Sequence, residues 1–355
     1  MSGVSTAVGL APRATPVVGD VEQFDRWNAF VAQQADASTY HDAAWLGVVS
    51  RAFGHPTVAL EATENGVVTG VLPLVAFAHP LFGRFLVSMP FFNYGGVLAS
   101  TPDATRALLE AAVARAKAMG ASHVELRHRR QLFDDLPCKT HKVAMRLELE
   151  DSTERQWNAL DRKLRNQIRK ADKNDLVVER GGPELLSAFY RVFARNMRDL
   201  GTPVYASTLF EEVLRTFPDT TRIICVRKGA EPIAASLVVC HRDTVEVPWA
   251  SSLREFNPLC ANVRLYWEML QFAVERGARV FDFGRSSPHE GTYQFKAQWG
   301  ARPEQLFWEY ALLGGDALPD LSPKNRKFQL LIAAWQRLPV WAATWLGPHI
   351  VRHIP

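Results

Sequence analysis

The sequence predicts an α+β fold in which one unit is used twice, followed by a basic, tryptophan-bearing C-terminal tail. Two observations carry that prediction. The same order of helix, hairpin, strand, helix and strand recurs along the chain at a near-constant offset, and 355 residues at roughly 150 per domain call for about two cores.

Each element can be justified in turn. Tyr40 to Phe53 and Tyr205 to Phe217 are short helical patterns opened by a tyrosine. Pro56 to Phe77 reads as strand, Glu64-Asn65-Gly66 turn and strand, and Thr221 to His241 repeats it around Lys228-Gly229. Val87-Ser88-Met89-Pro90-Phe91 matches Val245-Glu246-Val247-Pro248-Trp249, 158 positions later. Both are alternating strands expected to stop at the proline, which cannot donate to a ladder. Helices then span Thr105 to Met119 and Asn262 to Arg276, closed by Gly120 and Gly277. Each feeds a short strand with an acid between two apolar residues, Val124-Glu125-Leu126 and Phe281-Asp282-Phe283.

The expected organisation is a flexible N-terminus (1–20), a first domain (21–150), a basic connector with one helix over Thr153 to Asn174 and a short strand over Leu176 to Glu179 (151–182), a second domain (183–321) and the tail (322–355). A hydrophobic share of 47% and a charged share of 22% exclude disordered, collagenous and coiled-coil architectures. The net charge of +4 permits an anionic ligand without demanding nucleic acid. Cys138, Cys225, Cys240 and Cys260 are too far apart for a zinc pair and too few for a disulfide scaffold; they read as reduced thiols, and no metal site is expected. The N-terminus lacks the apolar core of a signal peptide. The most apolar stretch, Gly66 to Phe82, is broken by Pro73, His79 and Pro80 before it could span a bilayer. A cytoplasmic protein is the expectation.

The residues richest in chemistry run from Phe281 to Gly300. A strand ends at Gly284, and a loop then offers Arg285, Ser286, Ser287, His289 and Glu290 before a helical turn that carries Tyr293 and Lys296 on one face. A guanidinium can grip phosphate or carboxylate with its planar fork, and an ammonium can steady charge on an acyl oxygen. His289, Glu290 and Asp282 are near enough in sequence to be considered as a base, which stays unassigned, whereas His41 and His241 read as structural. In the first unit, Asn93-Tyr94-Gly95-Gly96 combines two hydrogen-bonding side chains with backbone that a ligand can approach closely. The connector segment Arg162 to Lys173 is strongly basic, with Arg165 and Arg169 four apart as the pair to face phosphates or RNA. In the tail, Lys324, Arg326, Lys327 and Arg337 interleave with Phe328, Leu331, Trp335, Leu338, Trp341 and Trp345. That pattern suits either a helix packed on the second domain or one lying in a membrane interface through residues 323–355.

The run Gly291-Thr292-Tyr293-Gln294-Phe295-Lys296-Ala297-Gln298-Trp299-Gly300 resembles the aromatic, lysine, aromatic, glycine signature of the FemAB aminoacyltransferase family. Arg162 to Ala171 looks like that family's inter-domain helix, and Phe92 to Gly96 looks like its first-domain substrate loop. More narrowly, the span from about Tyr40 to Leu313 resembles the FemAB-like group associated with PEP-CTERM/exosortase exopolysaccharide systems.

The resemblance implies two tandem GNAT-like (acyl-CoA N-acyltransferase) domains. It also implies an N-acyl- or aminoacyltransferase on an exopolysaccharide or cell-envelope precursor, a nucleotide- or lipid-linked saccharide, with no tightly bound cofactor and with aminoacyl-tRNA or acyl-CoA as donor. Lys296 matches the family lysine, expected to be catalytic, with Arg285, Tyr293, Asn93, Tyr94, Arg165 and Arg169 on substrate. Between Thr202 and Leu313 the chain lacks the long helical hairpin that tRNA-gripping members insert, and no glycine-rich pyrophosphate cradle is visible. The alternatives are an acetyl-CoA-dependent sugar acetyltransferase and a catalytically silent saccharide- or partner-binding protein of the same fold.

Overall fold

The computed structural model describes residues 15–21, 24–80, 83–315, 318 and 326–354. Its first half runs β1 (Val17–Asp20), α1 (Phe24–Gln33), α2 (Ala44–Phe53), β2 (Thr57–Glu64), β3 (Val67–His79), β4 (Gly83–Val87), β5 (Leu98–Ala99), α3 (Pro102–Ala118), β6 (His123–His128) and β7 (Cys138–Lys139). The second half follows as β8 (Val143–Glu148), α4 (Thr153–Ala159), α5 (Arg162–Asp172), β9 (Leu176–Gly181), α6 (Leu186–Leu200), α7 (Ser207–Thr216), β10 (Thr221–Lys228), β11 (Glu231–His241), β12 (Thr244–Ser252), α8 (Ala261–Glu275), β13 (Val280–Ser286), α9 (Gly291–Ala297), β14 (Arg302–Gln305) and β15 (Phe307–Leu312). Two tail helices, α10 (Arg326–Trp335) and α11 (Val340–Val351), close the chain.

The duplication is visible strand by strand. In each half a hairpin (β2–β3 or β10–β11) pairs antiparallel with the next strand (β4 or β12), which then pairs parallel with the strand that follows a helix (β6 or β13). Parallel neighbours need a crossover, and α3 and α8 supply it. Thr101 caps α3 by accepting from the Ala104 N–H at 3.1 Å, and Leu108, Leu109, Ala112 and Ala116 form its buried stripe.

The sheets do not follow the sequence boundaries. In the first sheet the order is β1-β2-β3-β4-β6-β15-β7, with β5 beside β3; in the second it is β14-β8-β13-β12-β11-β10-β9. Thus β8, from the stretch 21–150, is enclosed in the second sheet between β14 and β13, while β15 crosses back to lie between β6 and β7. Each of the two domains expected from the sequence thus lends a strand to the other's sheet.

Alternation places the two faces of the second sheet in two cores. Ile224, Val226, Ala234 and Val238 face α8. Ile223, Cys225, Ala235 and Leu237 belong to a core that joins Trp45, Phe53, Phe77 and Phe92 of the first half to Phe189, Phe193, Phe210 and Trp249 of the second. The halves are therefore fused through aromatic packing, with Trp45 stacked on Phe217 at 4.6 Å and edge-on to Phe92 at 4.8 Å.

Three local expectations change. The connector helix breaks at Leu160, because Asp161 starts α5 anew by accepting from the Lys163 N–H at 2.7 Å. The connector strand is not a free linker; it extends to Gly181 and is the edge strand β9, paired with β10. And β12 runs through Pro248 to Ser252, the proline falling where the register with β11 shifts between Leu237 and Val239, so its missing N–H costs no ladder bond.

Candidate active site

The parallel strands β12 and β13 pair only over Thr244–Glu246 and Val280–Asp282 and then part. The first half fills the opening between them. Its loop after β4 holds Met89 at φ 45° and Phe91 at φ 72°, left-handed values for non-glycine residues on either side of Pro90. Such strain persists only where the surroundings fix it. Gly95 and Gly96 both donate their N–H to the Arg127 carbonyl, at 3.3 and 2.9 Å, and a Cβ on Gly96 would sit 2.2 Å from the His128 ring. The glycines expected to admit a ligand thus also let this loop press against β6.

So braced, the loop delivers Asn93 and Tyr94 onto two buried acids. Asn93 Nδ2 donates to Glu246 Oε1 at 2.6 Å, Tyr40 Oη donates to the same oxygen at 2.8 Å, and Tyr94 Oη donates to Asp282 Oδ2 at 2.6 Å. Asp282 Oδ1 accepts from the Gly284 N–H at 2.8 Å. Burial and the neighbouring Asp282 push Glu246 up to about 8, and burial also raises Asp282. Near neutral pH Glu246 therefore keeps its proton beside Asp282.

A pH prediction follows with a definite sign. The folded state holds this proton between the ordinary 4.5 and about 8 while the unfolded state has lost it, so stability falls as pH rises across that window. Glu246→Gln keeps an oxygen for Tyr40 and Asn93 but cannot ionise. Thermal unfolding at pH 5 and pH 8.5 should show the wild type losing more stability than the variant; parallel changes would contradict the shift.

Beyond Gly284, the site turns cationic. Lys296 on α9 is buried and donates to the carbonyls of Gly284 at 3.1 Å and Arg285 at 2.9 Å. Burial pushes its ammonium down to about 8 against the pull of Asp282, with Arg285 and Lys142 adding to the fall. An ammonium has three donors, and these carbonyls take two. Arg285 is half-buried, donates to the Phe92 carbonyl at 3.5 Å, and lies 5.6 Å from the Trp308 ring, above which Arg127 sits at 4.3 Å. Burial and the Arg127 charge lower Arg285 to about 10. An anion beside it would relieve both strains. Lys142 joins the group through Ser287 Oγ at 2.6 Å.

On the other side of Tyr94 lies a cavity of about 210 Å³ lined by His41, Gly96, Arg127, Arg129 and Arg130 among others. It belongs to the first half and does not contain Lys296. Tyr94 spans the two places, its ring at the cavity and its hydroxyl on Asp282.

The structure thus gathers Lys296, Arg285, Asn93 and Tyr94 at the junction of the halves. Tyr293 is half-buried against the α8-side core, with its ring 6.1 Å from that of His289. Arg165 and Arg169 lie elsewhere, on α5, which packs on α8 and buries Leu164, Ile168 and Ala171. Arg165 is half-buried, whereas Arg169 is exposed, donates to Asn166 Oδ1 at 3.3 Å and lies 5.4 Å from the Trp157 ring. Of the candidate bases, His289 and Glu290 are exposed and Asp282 is fully buried. Sequence reasoning passed over Tyr40, Glu246, Arg127 and Trp308. The signal for Glu246 was an acid in an apolar alternating strand; the other three are recognisable only from long-range pairing.

Comparison with known proteins bears on the fold. The acetyltransferase (GNAT) domain family matches residues 159–297, a stretch that includes β12, β13 and Lys296, and the first half repeats the same strand order. The chain has a tandem GNAT fold. The crystal structure of FemX superposes on the tandem GNAT chain with a TM-score of 0.63 at 16% identity, covering 84% of this chain and 98% of that one. L-PGS from Bacillus licheniformis gives 0.58 at 12% identity over 90% and 99%. The C-terminal domain of a putative lysylphosphatidylglycerol synthetase from Agrobacterium fabrum gives 0.55 at 12% identity over 82% and 92%. At these identities the likeness is one of fold. No curated protein matches the tandem GNAT chain in sequence.

Proposed function

We propose that the chain is an N-acyl- or aminoacyltransferase acting on a nucleotide- or lipid-linked saccharide precursor of an exopolysaccharide or the cell envelope, in the cytoplasm, within the PEP-CTERM/exosortase-associated FemAB-like group. One observation carries the reading: Tyr94 links an arginine-lined cavity in the first half to the buried Asp282, two residues before the carbonyl that Lys296 holds. An acceptor whose phosphates lie near Arg285 and whose sugar enters from the first half would bring its amine to the end of β13. The amine nitrogen attacks the acyl carbon, a C–N bond forms, and the ester C–O bond of an aminoacyl-tRNA or the thioester C–S bond of an acyl-CoA breaks. The leaving group departs with the proton that the amine gives up. Lys296 supports the tetrahedral oxyanion with its remaining N–H, and Arg285 and Tyr293 hold the acceptor. With a tRNA donor, the exposed basic face of α5, including Arg169, would contact its phosphates in a salt-dependent way.

The test is a matrix of acyl-CoAs and aminoacyl-tRNAs against nucleotide- and lipid-linked amino sugars, read by mass spectrometry of the acceptor. An acyl mass increment that depends on one donor class supports the proposal and assigns the donor. Saccharide binding with no increment from any donor would leave the silent binding protein as the reading.

A further inference from the structure

α11 docks on the rest of the protein mainly through small side chains. α11 packs on α6, and its buried residues are Ala342, Ala343, Gly347 and Val351. A Cβ on Gly347 would come 2.5 Å from the Val204 nitrogen, so the close approach depends on glycine. Backbone contacts complete the docking. Arg198 Nη1 donates to the Leu338 carbonyl at 2.7 Å, Gln336 Nε2 donates to the Asp199 carbonyl at 3.1 Å, and His55 Nε2 meets the Arg352 carbonyl at 2.5 Å. The buried residues of α11 are mostly small, whereas Trp335 of α10 and Val340 pack partly buried against the aromatic core. Trp341 and Trp345, four apart on one face of α11, are 72% and 67% exposed, and Leu331, Ile350 and Ile354 are exposed as well.

Two tryptophans exposed side by side on one helix face mark an interaction site, and charge indicates its partner. From Leu321 to Pro355 the sequence has no aspartate or glutamate, while Lys324, Arg326, Lys327, Arg337 and Arg352 are basic. Two such faces repel one another, which disfavours a second copy of the chain. A surface that is apolar and negatively charged fits both features.

We propose that this face docks on an anionic lipid surface, with Trp341 and Trp345 seated at headgroup level and the exposed Arg337 beside them. Among the described residues no helix is long and apolar enough to cross a membrane, so α11 lies in the interface plane. Docking is independent of acyl transfer and is tested apart from it.

The full chain is mixed with vesicles of phosphatidylcholine, alone or with about a quarter phosphatidylglycerol, and sedimented. The expected result is binding to the anionic vesicles that weakens with salt and drops roughly tenfold or more in the double variant Trp341→Ser/Trp345→Ser. Both side chains are exposed, so the variant's unfolding temperature and oligomeric state should match the wild type. In the wild type itself, tryptophan emission should shift to the blue on anionic vesicles and be quenched by brominated lipid. Equal sedimentation of wild type and variant, no binding to anionic vesicles, or a wild-type dimer that the double variant dissociates would each overturn the proposal.

Discussion

Lys296→Met should lower acyl transfer by a factor on the order of 100 or more, the scale of losing one oxyanion donor, with the protein still folded. Methionine fills similar volume and removes a buried ammonium, so what is lost from the fold is the pair of hydrogen bonds to the Gly284 and Arg285 carbonyls. That loss is about 1–3 kcal/mol before the relief of desolvation is set against it. The fall should lie in kcat, with KM nearly unchanged. Because the Lys296 ammonium is pushed down to about 8, the wild-type kcat should also decline on the alkaline side of that pH. A variant that loses stability but keeps kcat and the alkaline limb would make Lys296 a clasp for β13 and nothing more.

The second large effect concerns stability. Glu309 is fully buried on β15, where its carboxylate lies 2.6 Å from His128 Nδ1 and accepts from the Phe133 N–H at 2.7 Å and the Leu132 N–H at 3.2 Å. His128 Nε2 in turn accepts from the Val97 N–H at 2.9 Å, so its other ring nitrogen carries the proton toward Glu309. Glu309→Ala leaves all three donors without this partner and should cost about 3–5 kcal/mol. Glu309→Gln should cost roughly half as much, since one amide oxygen still serves the loop while the NH₂ opposes the His128 N–H. Denaturant unfolding of the two variants checks the order. The position also tests the strand exchange, because a residue late in the chain is here holding together the loop at Val97 and the turn at Phe133.

Residues with a local signature were legible in the sequence. Hairpins at Asn65-Gly66 and Lys228-Gly229, the stripe of α3 and the acid in each of β6 and β13 follow from periods of two and 3.6 residues, and their repetition exposed the duplication. What the sequence hid depends on partners far along the chain. Nothing in Val143–Glu148 or Phe307–Leu312 says that each pairs in the other half's sheet, since an apolar strand fits any open edge. Pro248 read as a strand end because a bulge cannot be seen without the partner strand. For the site, Lys296 and Arg285 stood out by residue type on a loop, and Asn93 and Tyr94 by their glycines. Their partners Glu246 and Trp308 did not, because a buried polar residue differs from a surface one only by what surrounds it.

The central claim is that the two halves form one site at the end of β13. Hydrogen exchange with and without the donor and acceptor found in the transfer assay tests it most directly. The account predicts that amides of the 92–97 loop and of the 284–296 segment gain protection together, and that Lys296→Met weakens this coupling. Protection confined to one half, or to α5, would contradict a shared site.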